Sequence, residues 1–349
     1  MKTIILGVSA LLATGAAVLA FTATRDGSQI TPEGAGKVAT ASGEFEAFPL
    51  PDYAAAMLEP GYKSYLVEVE PGIKMHVLET GTGYPVYMQH GNPTSGFLYR
   101  KVAAALPKDR FRIIMPTLVG LGFSTKVPAN AHRLENHLRW TASLIATLDL
   151  KQAIYVGQDW GGPVGMGALA RNPGVISGAV VMNTGFNAPT EKGDISRAHA
   201  AVKTPVVGEF ILETFGSIFD RLPEAQGDPA SMPRDVLDLY GRPLREAGNI
   251  KAPLAMMRMV ADGPDHPSAV PMREIQAYVA TLDIPARIVW GMADPILGNK
   301  LDLMKAHFPQ APVTETSAGH FLQEEVPTEI AAAVIEVADE LERGAGKGD

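Results

Sequence analysis

Cysteine is absent from the 349 residues, which excludes a disulfide framework, a thiolate nucleophile and any metal site built on sulfur. Clusters of lysine and arginine are absent too. With 30 Lys+Arg against 38 Asp+Glu and a net charge of −8, the composition gives no reason to expect nucleic acid or an anionic membrane as partner. None of the eight histidines falls in a His-Glu-x-x-His arrangement, and His132 and His137 sit on what reads as a solvated helix, so no metal is expected. There is no internal repeat, and the apolar fraction of 46% suffices for a packed core.

The N-terminus departs from this composition. Met1-Lys2 precedes an uncharged, mainly apolar run from Thr3 to Thr24, with small residues around Val18-Leu19-Ala20 where a signal peptidase cuts. Residues 1–24 read as a signal peptide, or as an uncleaved membrane anchor, since the run is about long enough to span a bilayer. Either places the remainder outside the cytoplasm, secreted or periplasmic, and residues 3–24 are the only membrane tether expected. Residues 25–48, rich in Gly, Ser, Thr and Ala, read as linker.

From Tyr65 the pattern becomes that of strands. Tyr65-Leu66-Val67-Glu68-Val69 and Lys74-Met75-His76-Val77-Leu78 flank a Pro71-Gly72 turn, and Tyr84 to His90 and Arg112 to Pro116 follow. Helix-like and strand-like stretches then alternate to Asn183, the rhythm of a mostly parallel α/β sheet with helices on both faces. Between Asn183 and about Asp283 the strands disappear; prolines and apolar residues at helical spacing read as a helical insertion. The sheet resumes at Ala286-Arg287-Ile288-Val289-Trp290-Gly291 and Val313-Thr314-Glu315-Thr316, and an amphipathic helix from Thr328 to Glu342 closes the domain. The expected core is therefore 49–184 with 284–345, and the expected cap 185–283.

Within that frame one stretch carries chemistry. Gly157-Gln158-Asp159-Trp160-Gly161 joins an apolar strand to a small-residue helix, with glycines two before and two after the central residue. This is the pattern of a nucleophile elbow, in which the central side chain stands exposed on a strained corner. Here it is aspartate. A carboxylate attacking an acyl carbon makes a mixed anhydride, whereas one attacking a tetrahedral carbon makes an ordinary ester, so Asp159 reads as the nucleophile of a hydrolase acting on sp3 carbon; the plainer alternative is a turn or helix-capping aspartate. Hydrolysing the ester needs a base. His320, just past the last strand, suits proton transfer near neutrality. Asp294, after the strand before it, is placed to hold the imidazole tautomer, while Asn183 occupies the other position from which an acid could serve. The indole N–H of Trp160 and the amide of Asn92 supply neutral donors suited to a departing halide.

His90-Gly91-Asn92-Pro93-Thr94-Ser95, Gln158-Asp159-Trp160-Gly161-Gly162, Gly291-Met292-Ala293-Asp294-Pro295 and Gly319-His320-Phe321-Leu322-Gln323-Glu324-Glu325 together resemble a haloalkane dehalogenase, from about Tyr65 to the C-terminus. The resemblance implies an α/β-hydrolase fold with an eight-stranded type of sheet and a helical cap, Asp159 as nucleophile, His320 as base, Asp294 as acid, and halide held by Asn92 and Trp160. It implies no cofactor, and a small halogenated molecule and water as partners. Two departures stand out: Thr117 replaces the aspartate usual before the Gly-x-Gly-x-Ser loop, and the cap has no tryptophan. The rival chemistry is epoxide hydrolysis, with Tyr240 or Tyr278 as the ring-opening acid.

Overall fold

The computed structural model describes residues 25–193, 197–214 and 217–345; the signal or anchor segment expected over 1–24 lies outside the described residues. Ten strands form one sheet: β1 (Lys37–Thr40), β2 (Gly43–Ala47), β3 (Lys63–Glu70), β4 (Ile73–Thr80), β5 (Tyr84–Gln89), β6 (Phe111–Pro116), β7 (Ala153–Gln158), β8 (Ile176–Met182), β9 (Ala286–Gly291) and β10 (Val313–Thr316). They lie in the order β1-β2-β3-β4-β6-β5-β7-β8-β9-β10. The pairings from β1 through β4 to β6 are antiparallel, and every pairing from β6 across to β10 is parallel. β6 and β7 are buried along their whole length, as strands covered on both faces must be.

Helices cover both faces. Arg100–Ala105 and the C-terminal helix Pro327–Ala345 pack together on one, with Pro327–Ala345 lying along β8 and β9; Leu134–Thr147, Gly161–Ala170 and Ala269–Val279 pack side by side on the other. Gly161–Ala170, sequence GGPVGMGALA, is buried on every side except at its last residue, which explains its apolar and tiny residues: a helix with no wet face has no polar stripe.

The sheet has two more strands than expected, and they come from the stretch that composition marked as linker. β2 pairs with β3, and its alternating Glu44-Phe45-Glu46 stacks Phe45 on Tyr65 with ring centroids 5.1 Å apart while Glu46 meets Lys74 at 2.6 Å. Cross-strand contacts of this kind stabilise an otherwise marginal edge strand, and their partners are distant in sequence.

Between β8 and β9 the described residues contain helices and turns but no strand. The expected cap ran to 283, yet its last helix, Ala269–Val279, belongs to the layer beside Gly161–Ala170, with Ile275 closing on Gly167. The insertion meets the core at a buried ion pair of the core: Arg100 donates to both oxygens of Glu324 at 2.6 and 3.0 Å, and Tyr240 of the insertion donates to the same carboxylate at 2.8 Å. Breaking a buried pair strands a charge. Glu324→Ala is expected to lower unfolding free energy by about 3–5 kcal/mol, and Tyr240→Phe by only about 1 kcal/mol because Arg100 and Glu324 stay paired; urea unfolding of the two variants checks the ranking.

Candidate active site

The strand order reverses at β5: the chain goes from β5 to β6 on one side and later to β7 on the other. In a sheet of this kind the crevice outside the carboxyl ends of the strands at such a switch point is where ligands bind. All five residues singled out in the sequence follow carboxyl ends of strands. Asn92 follows β5, Asp159 and Trp160 follow β7, Asp294 follows β9 and His320 follows β10.

The elbow is as strained as its glycines suggest. Asp159 has φ of 50°, in the left-handed region that a side chain makes costly and that persists where the surroundings enforce it. Its backbone is held on both sides: its N–H donates to the Asn183 carbonyl at 3.0 Å, and its carbonyl accepts from Thr184 Oγ1 at 2.7 Å. Gly161 has to be glycine, because a Cβ there would stand 2.0 Å from the Gln89 carbonyl of β5. The result brings the Asp159 carboxylate beside the β5 loop, where the backbone N–H of Asn92 donates to Asp159 Oδ1 at 2.7 Å. The other oxygen, Oδ2, lies 3.6 Å from His320 Nε2. On the far side of the ring, His320 Nδ1 is 2.8 Å from Asp294 Oδ2.

Each of these groups has support. Asp294 Oδ1 accepts from the Ile296 N–H at 2.7 Å, and Oδ2 also accepts from Asn183 Nδ2 at 2.8 Å. Asn183 further donates to the Gly291 carbonyl and accepts from the Gly291 N–H, pinning the end of β9 from which Asp294 projects. In the sequence Asn183 appears only as the place where an acid is missing; its role as the clamp on Asp294 emerges from contacts 108 and 111 residues apart. Gln158 is the second residue that sequence patterns leave unremarked. Its side-chain nitrogen donates to the His320 carbonyl at 2.9 Å, and its side-chain oxygen is buried without a partner. His90 is buried and kept neutral, with Nε2 accepting from the Leu118 N–H at 2.9 Å, so it shapes the loop instead of titrating in it.

Asn92 is already partly engaged: its side-chain nitrogen donates to the Pro253 carbonyl of the insertion at 3.1 Å, leaving one of two N–H bonds for a ligand. Trp160 is 9% exposed. His132 and His137, expected on a solvated helix, are instead buried and stacked with centroids 5.3 Å apart; burial lowers the pKa of both. Among the described residues no cluster of three or more His, Asp or Glu is arranged to hold a metal. A cavity of about 630 Å³ lined by His132, Arg133, Leu254 and Met259 contains none of the five site residues.

The alpha/beta hydrolase fold family model matches residues 84–327. Haloalkane dehalogenase 2 of Mycobacterium bovis is 31% identical over 271 residues, covering 75% of this chain and 90% of that protein. The chain belongs to the haloalkane dehalogenases of the alpha/beta hydrolase family. A cis-3-alkyl-4-alkyloxetan-2-one decarboxylase of Shewanella oneidensis is 29% identical over 266 residues, covering 73% of this chain and 82% of that protein. Among solved structures, a mutant of the haloalkane dehalogenase DatA from Agrobacterium tumefaciens superposes with a TM-score of 0.71 at 25% identity, covering 80% of this chain and 98% of that one.

In this haloalkane dehalogenase family member, Thr117 is buried where an aspartate is usual, and its hydroxyl accepts the Gly96 N–H at 3.1 Å. Electrostatics bear on the state of His320. Burial alone would push the His320 imidazole down, but Asp294 and Asp159 on either side outweigh it and push the pKa up to about 10. The same cation helps hold the Asp294 carboxyl below its ordinary value against burial, which opposes it. A folded-state pKa above the unfolded value of about 6.5 means that His320 stabilises the fold fully below about that pH, and that this contribution is lost as pH rises through about 10. Replacing Asp159 by Asn removes one carboxylate. The imidazole titration followed by NMR is then expected to fall by about 1–3 pH units, and the alkaline loss of stability to begin correspondingly earlier; an unmoved titration would mean that Asp159 exerts no field on the ring.

Proposed function

We propose that the protein hydrolyses haloalkanes to an alcohol and halide through a covalent alkyl ester on Asp159. The observation that carries this is the division of labour between the two oxygens of Asp159: Oδ1 is held by the Asn92 N–H, and Oδ2 is turned toward His320. Oδ2 attacks the halogen-bearing carbon in line; the new C–O bond forms as the C–X pair leaves with the halide, which the remaining amide N–H of Asn92 and the Trp160 indole N–H stabilise. The ester is neutral, so alkylation removes one of the two carboxylates that hold His320 cationic. The imidazolium then passes its proton to bulk water, and the neutral ring, oriented by Asp294, takes one from the hydrolytic water as its oxygen adds to Asp159 Cγ. The Asn92 backbone N–H is then in place for the charge developing on Oδ1. Collapse breaks the Cγ–Oδ2 bond; the departing oxygen takes the proton from His320 and leaves as alcohol, and the carboxylic acid left on Asp159 returns a proton to the ring, restoring the carboxylate and the imidazolium. None of these steps calls for a cofactor.

Epoxide opening requires an acid that donates to the substrate oxygen, and the tyrosines available do not favour it. The only proton of Tyr240 is committed to Glu324. Tyr278 lies on the helix that packs at Gly167, about 9 Å along the axis from the start of the elbow helix. We further propose that the enzyme works outside the cytoplasm, on the strength of the apolar run and small residues in 1–24; N-terminal sequencing of protein recovered from its host checks this.

The test of function is bromide and butanol release from 1-bromobutane, beside styrene oxide and a cis-dialkyl oxetanone. Bromide release is expected, abolished in Asp159→Ala and reduced roughly 100- to 1,000-fold in Asn92→Ala or Trp160→Phe. Turnover of the epoxide or the oxetanone with no bromide release would reject this reading.

A further inference from the structure

The loop that carries His320 is held from the insertion as well as from the core. Three consecutive residues, Gly319, His320 and Phe321, point their backbone N–H groups at acceptors that tie them to the insertion. The His320 N–H donates to the Ala225 carbonyl at 2.7 Å, and the Phe321 N–H donates to Gln226 Oε1 at 2.9 Å. Gln226, itself buried, returns a bond from Nε2 to the Phe321 carbonyl at 3.2 Å. The Gly319 N–H donates to Glu325 Oε2 at 2.7 Å, and the same carboxylate accepts from the insertion: Gly227 N–H to Oε2 at 3.3 Å and Asp228 N–H to Oε1 at 2.6 Å. Glu325 thus bridges the residue before the base and two residues of the insertion. The approach is close enough that a Cβ on Gly319 would stand 2.3 Å from the Ala225 carbonyl.

We propose that Glu325, together with Gln226, positions the catalytic base by locking the His320 loop to the insertion, so that hydrolysis of the ester depends on this lock while halide displacement does not. The distinction follows from which groups each step uses. Displacement needs Asp159 and the halide donors, which stand on the ends of β5 and β7 and are fixed by Asn183, Thr184 and Pro253. Water activation needs His320 Nε2 within reach of a water poised over Asp159, and His320 is the group that the lock holds. Hydrogen bonds from backbone N–H to a carboxylate are the stronger, charge-assisted kind, and a displacement of about 1 Å at a base costs roughly 100-fold. Without Ala225 and Gln226 the His320 and Phe321 N–H groups lose their acceptors, and without Glu325 the Gly319 N–H loses its own, leaving Gln158 and Asp294 as the remaining holds on His320.

This inference rests on the alkyl-ester reading, and the experiment separates the two. Rapid-quench release of bromide and of butanol from 1-bromobutane is followed in the full-length protein, with intact mass measured at the end of the first turnover. In Glu325→Ala, bromide is expected to appear in a burst of about one equivalent, followed by alcohol formation slowed roughly 10- to 100-fold, with a butyl adduct accumulating on the protein. Glu325→Gln, which keeps one acceptor oxygen, is expected to lie between. Gln226→Ala removes the lock from the insertion side and is expected to show the same burst, which keeps the inference testable if Glu325→Ala does not fold. Variants in which the burst and alcohol formation fall together, or neither changes, would overturn the lock. A full-length protein without substitutions that releases no bromide would overturn the ester reading beneath it.

Discussion

One buried imidazole held between two carboxylates is the interaction on which the rest of the site depends. His320 sits 2.8 Å from Asp294 and 3.6 Å from Asp159, and burying such a group without partners would cost far more than a domain of this size can spare. The protein meets that cost with donors. Asn183 and the Ile296 N–H satisfy Asp294, and the Asn92 N–H satisfies Asp159. The three charges come from the carboxyl ends of β7, β9 and β10, with β8 between β7 and β9, so the triplet needs a parallel sheet that brings these ends to one edge. The reversal of strand order at β5 then opens the space into which Asp159 projects.

The same electrostatics give the proposed chemistry its order. Both carboxylates favour the cationic ring of His320. Alkylation neutralises Asp159 and removes one of them, so the ring gives up its proton more readily once an ester exists to be hydrolysed. The insertion enters at two points: through Pro253, which takes one N–H of Asn92, and through Ala225 and Gln226, which with Glu325 of the core hold the backbone around His320. It therefore supports the site as well as covering the strand ends.

The residues to which the proposed chemistry is assigned each stand in a short local pattern: glycines around Asp159, a proline after Asp294, a loop glycine before His320. Their convergence was legible from their order along alternating strands and helices. What sequence did not disclose depends on partners far away in the chain. β1 and β2 resemble linker until Phe45 finds Tyr65 and Glu46 finds Lys74. His132 and His137 look solvated until packing buries them against each other. Tyr240 looks available as an acid until its hydroxyl is seen donating to Glu324. Asn183 reads as a lost acid, and only the fold turns it toward Asp294 and Gly291.

The most direct test of the central claim is the origin of the oxygen in the alcohol. In a single turnover of 1-bromobutane with enzyme in excess, run in water enriched in heavy oxygen, an ester on Asp159 delivers butanol carrying the light oxygen of the carboxylate and leaves the heavy atom on Asp159, where peptide mass analysis finds it. Butanol carrying the heavy oxygen, with Asp159 unlabelled, would mean that water displaces the halide directly and that Asp159 is not the nucleophile.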